Sequence, residues 1–191
     1  MDAEKKTKVK EYFAIALLVI IIALVIYFMV ITNKRNEEYN TQLCDNISGL
    51  IGSSKSYYIT DYDKDDIYKY DVKKFRSVIQ LGYGDSNGVV AKVSNYGEVK
   101  DEGYVFVAER IGKKKIRVLL NEPEVLSHDI YMENSHESIT EANDKTAKLK
   151  QKIEGELISS KDKETVFVNT ENIIKAYLTA LGYTDVEIIK K

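Results

Sequence analysis

Ser127, His128 and Asp129 stand in a row. Hydroxyl, imidazole and carboxylate are the groups of a nucleophilic triad, in which the imidazole must bond both partners at once. The surrounding run "EVLSHDIYM", Glu124 to Met132, has the pattern of a strand, and neighbours on a strand point to opposite faces. Val125, Ser127, Asp129 and Tyr131 then share one side, and Leu126, His128, Ile130 and Met132 the other. His128 turns away from both flanking partners, so the run is expected to be structural, with His128 a core histidine bonded to backbone. His136 is the other of the two histidines; it falls in the polar "MENSHES" and reads as loop.

Other residue types offer chemistry and then withhold it. Asp61, Asp63 and Asp65 in "DYDKDD" alternate like the opening of a calcium loop, but Asp66 stands where that loop needs glycine and Val72 where it needs a bidentate glutamate. A solvated acidic loop is expected there, and no metal. Gly82, Gly84 and Gly88 miss the GxGxxG spacing, so no dinucleotide or other cofactor site is expected. Cys44 is the sole cysteine, which excludes an intrachain disulfide and a cysteine-based zinc site. It is either a small residue packed beside Leu43 and Ile47 or an intermolecular bridge between paired helices. No catalytic residue is assigned.

The elements that would position these groups begin with a membrane span. "YFAIALLVIIIALVIYFMVIT", Tyr12 to Thr32, has no charge, proline or glycine. At ~1.5 Å per residue its 21 residues cover roughly 30 Å, the thickness of a bilayer's hydrocarbon core. The run is too long for a signal-peptide core and is followed by no small-residue cleavage site, so it is expected to remain as a signal anchor. Lys5, Lys6, Lys8 and Lys10 precede it, against Lys34 and Arg35 after it. That asymmetry puts the N-terminus in the cytoplasm and the bulk of the chain outside the cell membrane. Four segments follow: a cytoplasmic tail over 1–11, the membrane helix over 12–32, a stalk helix over 33–52 and an extracytoplasmic domain over 53–191.

Charged residues make up 30 % of the chain and apolar ones 44 %, which fits a globular domain. The net charge of −2 leaves no basic surplus for phosphates, so no nucleic-acid partner is expected. Little Pro and no Trp beside many Lys, Ile, Asn and Tyr fit an AT-rich bacterial genome.

"SYYIT" reads as a strand, and "DVKKFRSVIQL" fits either a helix or a strand. From Gly88 the pattern is β: "GVVAKVSNYGEVK", then "YVFVAER" and "KIRVLL" joined by a turn at Gly112. Asn121, Glu122 and Pro123 form a structural turn before the next strand, since proline cannot donate to a ladder. "TEANDKTAKLKQKIEGELISS" is helical. "NTENIIKAYLTALGY" is a second helix with a start signal at Asn169/Thr170 and a stop at Gly182, and "YTDVEII" ends as a strand. The predicted fold is α+β, a mainly antiparallel sheet packed with C-terminal helices behind a membrane helix and stalk.

The stretch "KIRVLLNEPEVLSHDIYMENSHESITE" and the close "ENIIKAYLTALGYTDVEI" resemble the bacterial family known as domain of unknown function 4230. The resemblance is carried by an apolar strand running into Leu120, Asn121, Glu122, Pro123 and Glu124, with Asn121 in place of that turn's first proline. It implies a membrane-spanning N-terminus, a β-rich middle and a helical end, and no activity or catalytic residue.

Together these features predict a non-catalytic envelope protein that binds a protein partner, with a homodimer through the stalk as a further option. The alternatives are an envelope hydrolase using acids with His128 or His136, or a sensor of a small ligand.

Overall fold

A computed structural model describes residues 2–63, 74–92, 103–132 and 144–191, with side chains described over 12–62, 76–91, 103–131 and 147–191. The chain divides into two compact units, Met1–Leu43 and Cys44–Lys191.

The first unit is helical over all of its described residues. Helix α1 runs Asp2–Ser53, so it includes the expected tail, span and stalk without a break and ends inside the second unit. Its uncharged stretch is long and apolar enough to cross a membrane. The large apolar side chains from Tyr12 to Val30 are all exposed, the least of them, Ile21, at 48 %. A soluble core helix would bury such a stripe, and this one buries none of it.

The second unit is α+β and mainly antiparallel, as the pattern predicts, but it is built on two sheets. One has the order β1-β2-β6, from β1 (Ser56–Asp63), β2 (Lys74–Gly82) and β6 (Glu124–Met132), all antiparallel. The other has the order β3-β4-β5-β7, from β3 (Gly88–Lys92), β4 (Phe106–Ile111), β5 (Lys115–Leu120) and β7 (Asp185–Lys190). There β4 and β5 form an antiparallel hairpin about Gly112 (φ 79°), while β3 and β7 pair parallel to their neighbours. The segment left open between helix and strand is therefore a strand, β2, the central one of its sheet. Its alternation explains this: Ser77, Ile79 and Leu81 are buried while Arg76 is exposed.

Helix α2 (Asp144–Leu157) lays Leu149 and Ile153 over Ile79 and Ile130 of the three-stranded sheet, with Tyr58, Val125 and Leu157 around them. Each fully buried side chain of this kind contributes about 1.5–3 kcal/mol. Helix α3 (Ser160–Ala180) starts ten residues before the expected Asn169/Thr170 signal. Ser159 caps it, accepting from the Asp162 N–H while the Asp162 carboxylate accepts from the Ser159 N–H. The capping box wins because Thr170 lies on the buried stripe Val166, Phe167, Thr170, Ile174 and Leu178, its hydroxyl turned back to the Val166 carbonyl. The stop at Gly182 (φ 93°) is where the pattern puts it.

The end of α1 is fixed by two bonds within the second unit. Asn46 Nδ2 donates to Tyr177 Oη at 2.9 Å, and Cys44 Sγ donates to the Gly88 carbonyl at 2.9 Å. Gly88 is required by packing. A Cβ there would run into the Phe106 ring, which is fully buried across the β3–β4 pair.

Candidate functional site

The imidazole of His128 is at the centre of the one hydroxyl–imidazole–carboxylate chain found among the described residues. Its partners are not its sequence neighbours. Nε2 is 2.8 Å from Ser77 Oγ, and Nδ1 is 2.9 Å from Glu154 Oε1. Ser77 lies on β2 opposite Ile130, diagonal to His128 on β6, and Glu154 comes down from α2 beside Ile153. The bond to a carboxylate, which only accepts, sets the tautomer: Nδ1 carries the proton and Nε2 accepts from the serine. This is the connectivity of a triad.

Access and backbone geometry argue against nucleophilic chemistry. Ser77 is 0 % exposed and the His128 side chain 3 %, beneath the apolar underside of α2. Ser77 sits mid-strand with Thr60 on one side and Ile130 on the other, so its backbone groups belong to ladders. An oxyanion hole needs free N–H donors aimed at one point, and a central strand has none to give. Burial pushes the His128 pKa below its usual value; Glu154 opposes this but does not overcome it, and Lys150 adds to it. The imidazole is thus held neutral, a polar pin between sheet and helix.

His128 is buried, as its strand face predicts, but its partners are side chains and not backbone. The alternation across β6 needs one further correction. Ser127 pairs with Gln80 and Val125 with Leu81, leaving Leu126 as an extra residue in a β-bulge. The bulge turns Val125 onto the His128 face, where it packs against the core.

Asn121, Glu122 and Pro123 link β5 of one sheet to β6 of the other. The Asn121 N–H donates to the Val105 carbonyl and its side chain to the Tyr104 carbonyl, extending the β4–β5 pairing. Glu122 pairs with Lys190 at 2.8 Å, and Pro123 is buried. These contacts hold the connection between the two sheets in place.

Asp61 and Asp63 lie on β1, and Asp61 makes a forked pair with Arg76. No metal-holding cluster occurs among the described residues. Asp65, Asp66, Val72 and His136 lie outside them. The Cys44 thiol is half-buried, and burial raises its pKa, which keeps it a poor nucleophile.

Ser77 and Glu154 are what sequence reasoning misses. A serine between Phe75 and Ile79 on an apolar face is a hint, but its partner depends on strand register. A different opening exists at the end of α1: a cleft of about 440 Å³ lined by Ser53, Ser54, Lys55, Ser56, Val166, Asn169, Asn172 and Ile173. No protein-family model, no curated protein and no solved structure matches the chain.

Proposed function

We propose that this chain is a single-pass envelope protein, its N-terminus cytoplasmic and its α+β domain extracytoplasmic, which acts by binding a protein partner and not by catalysis. The anchor reading is supported by the exposed apolar stretch of α1 and by four lysines before it against Lys34 and Arg35 after it. The observation that carries the non-catalytic reading is the burial of Ser77 and His128 under α2. A hydrolase would need that serine in reach of a substrate.

The test uses the full chain in native membranes. A fluorophosphonate probe is expected to leave Ser77 unlabelled, and protease added to intact protoplasts to digest residues 44–191. Covalent labelling of Ser77 would turn the reading to an envelope hydrolase. Protection of the domain in intact protoplasts would reverse the orientation. Lysine-directed cross-linking in the same membranes is expected to yield a discrete adduct with another envelope protein.

A further inference from the structure

The cleft at the end of α1 has a lining of one consistent kind. Among the described residues that line it, Lys55 supplies the charge and none is a carboxylate. Ser53, Ser54, Ser56, Asn169 and Asn172 supply hydroxyls and carboxamides, and Val166 with Ile173 an apolar wall. Among the described residues the side chains of Lys55, Ser56, Asn169 and Asn172 make no hydrogen bond or ion pair of their own. Its volume is that of a small-ligand site. An unpaired ammonium beside unpaired amides calls for a ligand with a negative end and polar groups behind it.

The negative end of a helix normally repels an anion, and α1 ends here. Ser53 Oγ and Ser54 Oγ both donate to the Leu50 carbonyl, at 2.8 and 2.9 Å, so part of that negative end is already satisfied internally.

Two further features select an extended peptide. Asn169 and Asn172 are three apart on α3, which sets their Cβ atoms about 5–6 Å apart. Alternate residues of an extended chain repeat at about 6.6 Å, so the two carboxamides can each reach a main-chain amide of one strand. Ser56, at the cleft, is also the first residue of β1, and β1 is bonded to β2 on one side only among the described residues. Tyr57 and Ile59, 62 % and 61 % exposed, continue along that strand as an apolar flank. An edge that no described strand occupies, beside a helix, offers main-chain hydrogen bonds for affinity and pockets for alternate side chains.

We propose that this cleft is the docking site for the carboxylate end of an extended peptide of a partner protein, which adds to β1 at its Ser56 end, on the edge that no described strand occupies. The carboxylate meets Lys55, the carboxamides of Asn169 and Asn172 hold the main chain, and an aliphatic side chain rests on Val166 and Ile173. The proposal rests on the interaction reading above and names the partner's chemistry.

The experiment uses the immobilised full chain in detergent and a pool of fully randomised pentapeptides with free C-terminal carboxylates, beside the same pool amidated. Free-acid peptides are expected to be enriched about tenfold over amides, the effect of one charge-assisted contact. Lys55→Gln is expected to abolish that preference, and the double variant Asn169→Ala, Asn172→Ala to abolish enrichment. All three residues are exposed, so these variants keep the fold. No enrichment, enrichment unchanged in the variants, or displacement by acetate at equal concentration would each overturn the proposal. A membrane partner cross-linked equally well to wild type and to both variants overturns the cleft alone and leaves the interaction reading standing.

Discussion

The two sheets handle buried polarity in opposite ways. The three-stranded sheet keeps the Ser77 hydroxyl and a neutral His128 imidazole buried beneath α2, with the Glu154 carboxylate of that helix partly exposed beside them. The four-stranded sheet keeps charge. On one rung Arg117 stands between Glu109, at 3.7 Å, and Glu187, at 3.0 Å, the three being cross-strand neighbours on β4, β5 and β7. Glu109 is nearly buried and its Oε2 has no hydrogen bond, while Arg117 and Glu187 reach solvent. Arg117 there spans two carboxylates, whereas burial under α2 favours the uncharged imidazole in spite of Glu154 beside it. The lesson is that the hydroxyl and the imidazole that resemble an active site are both withdrawn from solvent.

Substitutions can break this contrast, and the largest effect should come from packing and not from polarity. Gly88→Ala forces a methyl into the Phe106 ring, and unfolding of the full chain in detergent should show a loss of about 3 kcal/mol. A near-neutral result would mean that β3 and β4 do not approach as described.

Next come the two polar devices. Arg117→Met should cost on the order of 2 kcal/mol, because Glu109 is left without its counter-charge, and adding Glu109→Gln should return much of it. His128→Leu should cost about 1.5 kcal/mol, since the buried Ser77 hydroxyl loses its acceptor. A double-mutant cycle with Ser77→Ala should show coupling, and strict additivity would remove the network from the account.

pH separates the sheets further. The folded pKa of His128 lies below the ordinary 6.5, so the unfolded chain takes up the proton first. Its contribution is fully present above about 6.5 and is lost as pH falls below that value toward the folded pKa. Among the described residues the charges that act on the ring are Glu154, Lys150 and, from the other face of the strand, Asp129, all already reflected in that direction. His128→Leu should flatten the stability profile over this window, whereas Arg117→Met, in a sheet without histidine, should leave its slope unchanged. Equal slopes in wild type and His128→Leu would contradict the neutral imidazole.

The smallest effect concerns Cys44. Its thiol is occupied with the Gly88 carbonyl, so mild oxidation in membranes should leave the chain monomeric on a non-reducing gel, and alkylation should be slow until denaturant is added. A disulfide dimer absent from Cys44→Ser would instead favour paired stalks.

The sequence alone determines what depends on local pattern. A run without charge from Tyr12 to Thr32 is long and apolar enough to cross a membrane, and alternation with turn residues marks β4, β5 and β6. Positive φ at Gly112 and Gly182 falls where turns and helix stops demand it. Tertiary structure decides what depends on partners distant in sequence. β2 is a strand because strands on both sides take up its backbone groups. Thr170 is core and not cap because its helix packs on that side. Val125 changes face because one extra residue enters a ladder. Ser77, His128 and Glu154 meet because register and helix docking bring them together across 51 and 26 residues. A hydrogen bond of this kind leaves no period in the sequence, since it is specified by the packing of everything around it.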